Sequence, residues 1–167
     1  MRDVLVLTTG GTIEKVHDWK SQGLGFEMGG KAQIADLLHH ARCFHAGLHE
    51  LMMKDSLDFT DTDREAICQA LDQAAQDSIV ISHGTDTMAE TARFLEGRIT
   101  GKTVVLTGAM RPYSFGRSDA SFNFGGAIIA AQLLPSGVYG VMNGRAFSAS
   151  QLAKDIDAGR FDGSLSL

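Results

Sequence analysis

Three times along this chain a mostly apolar run stops at a glycine and gives way to a segment with helical spacing. Val4 to Leu7 leads to Gly10-Gly11, Ser78 to Ser82 to Gly84, and Thr103 to Leu106 to Gly108. These runs lack the polar alternation of a strand with one wet face, so each reads as a strand covered on both sides, as in a parallel sheet. Repetition of strand, glycine turn and helix is the signature of right-handed βαβ units. It predicts a three-layer α/β/α fold with a mainly parallel sheet. Such sheets place their chemistry beyond the carboxyl ends of the strands.

With 167 residues, 44% hydrophobic and 21% charged, the chain suits one domain over 1–167. A net charge of -5 and the lack of any basic run argue against nucleic acid or an anionic membrane as partner, leaving a small molecule as the expected one. The amino terminus runs straight into the first strand without a cationic leader, and no apolar stretch is long enough to span a bilayer. A cytoplasmic location is the expectation. Cys43 and Cys68 read as ordinary thiols of a reducing compartment. His39, His40, His45 and His49 lie close in sequence, but no H-E-x-x-H or C-x-x-C pattern surrounds them, so no metal site is expected.

The first run continues through Thr8-Thr9-Gly10-Gly11-Thr12-Ile13, where two glycines allow a sharp turn and a close approach to a ligand and leave the Thr12 hydroxyl above the strand end. Such a turn is equally an ordinary turn or an anion-binding loop. No G-x-G-x-x-G or phosphate-loop lysine pair is present. Residues 14–30, which hold Trp19, Phe26 and glycines 23, 25, 29 and 30, show no helix or strand period and read as a lid. A short helix is expected over Ile34 to His40 and a second strand over Phe44 to Met53. That strand ends at Lys54-Asp55-Ser56-Leu57-Asp58, on the same sheet edge as Thr12.

Thr60 to Asp63 reads as a helix start, with Ile67, Leu71 and Ala74 or Ala75 on the buried face. After the next strand, Thr85 or Asp86 is expected to cap a helix running through Phe94. Ser118 or Asp119 would cap another through Ala127 to Leu134. Val138 to Met142 is the fifth strand. From Asn143 onward the chain is polar and irregular, and Lys154, near Asp155 and Asp157, reads as solvated.

Taken together, Thr9-Gly10-Gly11-Thr12-Ile13, His83-Gly84-Thr85-Asp86-Thr87-Met88 and Gly108-Ala109-Met110-Arg111-Pro112 resemble the signatures of the bacterial-type L-asparaginase family. Ser118-Asp119 with Phe122-Asn123, and Leu152-Ala153-Lys154, fall where the amino-terminal domain of that family has similar segments. Members of ordinary length continue into a smaller carboxyl-terminal domain, so the resemblance is to short single-domain asparaginases or to a truncated chain, with the second domain expected to be absent. It implies hydrolysis of L-asparagine to L-aspartate and ammonia through a threonine nucleophile and an acyl-enzyme. No metal or organic cofactor is implied, and the working form would be a homodimer or higher homo-oligomer.

Carried over position by position, Thr12 matches the first catalytic threonine, and Thr85, Asp86 and Lys154 match the second catalytic group. A threonine hydroxyl needs a base near neutral pH, and an uncharged lysine beside Thr85 would serve. Ser56 matches the serine that binds the substrate α-carboxylate, and Asp86 also matches the partner of the α-ammonium. Backbone N–H groups at the Gly11-Thr12 and Gly84-Thr85 turns suit an oxyanion, and Ala109 lies where the family's main chain lines the amide end of the pocket. Two positions depart from the family. The lid has no tyrosine between Ile13 and Lys31, with Phe26 the nearest match, and Leu57 stands where a glutamine is common. Both changes imply weaker substrate binding and a more open site. Glutamine is expected to be the poorer substrate, because its extra methylene moves the amide carbon away from Thr12. Two other readings fit the same residues: a non-catalytic amino-acid-binding module, and an amidohydrolase subunit of an amidotransferase acting on charged tRNA.

Overall fold

In chain order the strands are β1 Val4–Gly10, β2 Lys15–Asp18, β3 Gly23–Phe26, β4 Ala46–Lys54, β5 Ser78–Ser82, β6 Thr103–Thr107, β7 Gly137–Met142, β8 Arg145–Ser148, β9 Lys154–Asp155 and β10 Arg160–Phe161. The helices are α1 Gln33–His40, α2 Asp61–Gln73, α3 Met88–Leu95 and α4 Ala120–Leu133, with 3-10 turns at Thr12–Glu14, Ser56–Asp58 and Tyr113–Phe115. This is a computed structural model, and it describes residues 3–27, 29 and 32–163.

A central sheet runs in the order β4-β1-β5-β6-β7-β8, with every neighbouring pair parallel except β7 and β8. Alternate side chains of the same strand enter opposite cores. Leu5, Leu7, Ile79, Ile81, Val104 and Leu106 meet α2 and α3 through Ile67, Leu71, Met88 and Leu95. Val4, Val6, Val80 and Val105 meet α1 and α4 through Ile34, Leu37, Phe124 and Ala127. Two apolar faces per strand explain why the sequence shows runs and no alternation. Fully enclosed residues such as Ile81 make this packing the dominant stabilising contribution, and truncating one to alanine costs about 2–5 kcal/mol.

The chain leaves β1 for β4 on one side and later returns to β5 on the other. The order therefore reverses between β1 and β5, and the space beyond their carboxyl ends is the habitual ligand position of such sheets. The helix from Thr60 starts as expected, with a capping box in which Thr60 and Asp63 satisfy each other's backbone N–H groups.

Three local expectations are corrected, concerning the lid, the start of α3 and the stretch after Asn143, and the one for α4 holds. The segment read as an irregular lid contains the antiparallel hairpin β2–β3. Its turn is made by the Asp18 carboxylate, which accepts from the Lys20 and Ser21 N–H groups, and by Gln22 at a φ of 57°. Gly30, included in that segment, lies outside the described residues. Thr85 and Asp86 do not cap α3; Thr87 occupies the cap position, without a side-chain cap bond. α4 starts as expected, with Asp119 at the cap position and the Ser118 hydroxyl accepting from the Ala120 N–H. The Asp119 carboxylate instead accepts from the Met110 and Arg111 N–H groups and so pins the loop after β6. Finally, the stretch after Asn143 holds β8, β9 and β10. Asn143 and Gly144, at φ 54° and 77°, form the two-residue hairpin turn that matches the twist of paired strands.

Candidate active site

The site is built where the loops after β1, β4 and β5 meet. At Gly11, with a φ of 82°, the chain passes so close to the β5 loop that an added Cβ would lie 2.5 Å from the Gly84 nitrogen. Only glycine fits both the space and the dihedral. A Cβ on Gly84 would in turn overlap the Ser56 side chain. Gly84 thus stands against both Gly11 and Ser56. Thr12 and Thr85, each directly after a contact glycine, leave the same junction from two strands.

Lys154 reaches this junction from the far end of the chain. Its Nζ donates to Thr85 Oγ1 at 3.0 Å and to Asp86 Oδ1 at 2.5 Å, which corrects the expectation of a solvated lysine. Thr85 is buried, while the Asp86 side chain is 45% exposed and so accessible from solvent. Lys154 belongs to β9, whose partner β10 is fixed by Phe161, whose ring is buried and whose backbone N–H donates to Asn143 Oδ1 at 2.8 Å. Leu152, just before, is buried against β7, and its carbonyl accepts from Arg93 of α3 at 3.4 Å.

Ser56 is 1% exposed, and its hydroxyl has no partner among the described residues. A buried orphan hydroxyl costs about 1–3 kcal/mol, so this atom is suited to an arriving polar group. Its turn is held on three sides. The Asp55 carboxylate accepts from the Leu57 N–H at 3.1 Å and from Lys15 of the hairpin, while Thr87 Oγ1 donates to the Ser56 carbonyl at 2.8 Å. The Lys15 ammonium holds the Asp55 carboxyl below its usual range. Leu57 itself is 70% exposed.

Beneath Thr85 lies His83, fully buried. Its Nδ1–H donates to the Gly84 carbonyl at 2.8 Å, and its Nε2 then accepts from the Thr91 hydroxyl at 2.9 Å. Desolvation lowers its pKa to about 4, with nearby Arg64 acting in the same direction. The ring is neutral at physiological pH and fixes the Gly84 peptide. Ala109 is buried in the α4-side core, and the loop around it is fastened by Asn123, which donates to the Gly108 carbonyl at 2.9 Å.

The lid positions lie apart from this cluster. Trp19 is 82% exposed at the hairpin turn and makes an edge contact with His17. Phe26 is half-buried under Lys15, whose Nζ stands 5.9 Å from the ring centre. Lys15, Thr87 and His83 are neighbours of the site to which the sequence assigns no role, although His83 and Thr87 stand inside the motif that carries Thr85 and Asp86. An N-terminal lysine of a lid and a threonine before a helix carry no distinctive spacing.

Residues 3–163 match the family profile described as "Asparaginase, N-terminal". The chain belongs to the asparaginase family. An L-asparaginase of Thermococcus kodakarensis is 35% identical over 147 residues, covering 81% of this chain and 42% of the relative. A subunit of the Glutamyl-tRNA(Gln) amidotransferase of Methanococcus vannielii is 30% identical over 149 residues, covering 86% of this chain and 35% of the relative. L-asparaginase 2 of Escherichia coli is 42% identical over 82 residues, 47% of this chain and 24% of the relative. Among solved structures, the thermostable L-asparaginase from Thermococcus kodakarensis superimposes with a TM-score of 0.78 at 30% identity, over 95% of this chain and 50% of that one. This asparaginase-family chain therefore spans about half, or less, of the length of these relatives.

Proposed function

We propose that this chain is an L-asparaginase that converts L-asparagine to L-aspartate and ammonia. The observation that carries the reading is the contact of the Lys154 amine with both the Thr85 hydroxyl and the Asp86 carboxylate, beside the turn that presents Thr12. In this reading Thr12 attacks the side-chain amide carbon. The Thr12 and Thr85 N–H groups hold the oxyanion, each such donor contributing about 2.7–4 kcal/mol in comparable enzymes. Ammonia leaves with the proton released from the hydroxyl, and an aspartyl ester remains on Thr12. Water, deprotonated through Thr85 and Lys154, then cleaves the ester.

The buried Ser56 hydroxyl suits the α-carboxylate, and the exposed face of Asp86 suits the α-ammonium. Gly11, Gly84 and the Ala109 main chain complete the substrate cradle, with Leu57 at its rim and the hairpin carrying Trp19 and Phe26 as lid. No metal or organic cofactor has a step to perform. Cytoplasmic action as a homodimer or larger assembly is part of the proposal, and the exposed Phe122, Ile129 and Leu133 on α4 support association.

The test is ammonia release from millimolar asparagine by the purified chain, abolished in Thr12→Ala and Lys154→Met, with glutamine turned over more slowly. Absence of release would refute it. If calorimetry then showed aspartate or asparagine binding without turnover, the chain would be an amino-acid-binding module. The amidotransferase-subunit relative supports a second reading, in which the same site releases ammonia for a partner subunit. Efficient turnover of free asparagine by this chain alone would count against that.

A further inference from the structure

Two residues after the proposed nucleophile stands a carboxylate that the reaction does not use. Glu14 closes the 3-10 turn begun by Thr12 and is 3% exposed, lodged between the end of β1 and the first turn of α1. Its Oε1 accepts from Thr8 Oγ1 at 3.2 Å, and its Oε2 accepts from the Gln33 N–H at 2.5 Å. Thr8 shares a 3.0 Å hydrogen bond with Ser82 Oγ at the end of β5. The turn itself is closed by the Glu14 N–H on the Gly11 carbonyl at 3.1 Å. α1 has no side-chain cap of its own, because Ala32 occupies that position. Glu14 therefore supplies the anion that a helix start favours, from a distant part of the chain.

The position is not one that stability alone selects. Desolvation raises the Glu14 carboxyl above its ordinary value, opposed by the Gln33 N–H and the Thr8 hydroxyl, and the Glu50 carboxylate on β4 pushes the same way as burial. With the folded value raised, the proton is held more tightly in the folded chain, so this group lowers stability as pH rises through that value. Upstream of Thr12 the backbone passes through Gly10 and Gly11, the least constrained residue type. Downstream it enters a half-exposed hairpin. A turn between two glycines and a lid needs an anchor, and the Glu14 carboxylate connects it to β1, β5 and α1.

We propose that Glu14 is a positioning residue for Thr12, holding the turn so that the hydroxyl points at the substrate amide. The inference rests on the reading of Thr12 as nucleophile. Ser56 and Asp86, which would bind the α-groups, stand on other loops, so loosening the turn impairs reaction more than binding.

The test uses two variants made in the full chain. Glu14→Gln keeps the volume but removes the charge that assists the Gln33 N–H contact, and it reverses the bond with Thr8, whose hydroxyl must accept from the new NH2. Gln33→Pro removes only the N–H at the first helical position, where proline is accommodated and where Ala32 before it is already extended at ψ 135°. Glu14→Gln is expected to lower kcat for asparagine by roughly ten- to a hundred-fold, the cost of a small misplacement of a reacting group, while the aspartate Kd stays unchanged. Gln33→Pro should lose less. The double variant should be no worse than Glu14→Gln, because both break one clamp. Unchanged kcat in either folded variant, an equal loss of aspartate binding, or losses that multiply in the double variant would overturn the proposal. Thr12→Ala, run alongside, separates the two levels. If it stays active, the reading of the site fails; if it is dead while Glu14→Gln is unimpaired, only the positioning role fails.

Discussion

His83 predicts how this fold responds to acid. An ordinary histidine titrates at 6.5, whereas burial lowers this one to about 4. Between those values the unfolded chain binds a proton at this residue and the folded chain does not, so stability falls as pH falls. The full gap is worth about 3 kcal/mol, and about 2 kcal/mol of it is already lost at pH 5. Protonation would also set a second N–H against the Thr91 hydroxyl, which in turn accepts from Arg64 Nε at 3.3 Å. The assay is urea unfolding at pH 7, 6 and 5 on the natural chain and on His83→Asn, whose amide can still donate to the Gly84 carbonyl and does not titrate. Carboxylates such as Asp63, lowered to about 2 by Lys54 and the Thr60 N–H, lose their contribution below this window. The natural chain should lose about 2 kcal/mol more between pH 7 and 5 than the variant does. Equal pH dependence in the two proteins would refute the reasoning.

Other outcomes follow from the same contacts. Ser56→Ala should raise KM for asparagine markedly while leaving urea stability unchanged or improved by about 1 kcal/mol, because it removes an orphan hydroxyl; a destabilised variant with normal KM would contradict this. Ile129→Lys in the apolar groove of about 620 Å³ along α4 should shift the solution mass toward the monomer, measured by light scattering, if that face pairs two copies. An unchanged mass would place any association elsewhere.

Much of this fold is visible in the chain because strands covered on both faces announce themselves as apolar runs, and because their glycine stops fall where the backbone must bend toward a neighbour. The hairpin β2–β3 is hidden because neither face is buried deeply enough to impose alternation. β8 is within reach of sequence reasoning, since Asn143-Gly144 is a hairpin signal in its own right, but its polar surroundings obscure it. The site divides in the same way. Thr12, Ser56, Thr85 and Asp86 lie at strand ends where function is expected, whereas Lys154 has no local distinction and reaches Thr85 through a two-residue strand held by Phe161 and Asn143. Glu14 and His83 gain their character from burial, which spacing does not report. That the Ser56 hydroxyl has no partner among the described residues emerges only when three loops are packed together.

The most direct measurement is a crystal structure of the chain soaked with L-aspartate. The α-carboxylate is expected on Ser56 Oγ, the α-ammonium on Asp86, and the side-chain carboxylate between the Thr12 and Thr85 hydroxyls with Lys154 still on Thr85. Aspartate bound away from Ser56, or with its side chain turned from both threonines, would contradict the proposed chemistry.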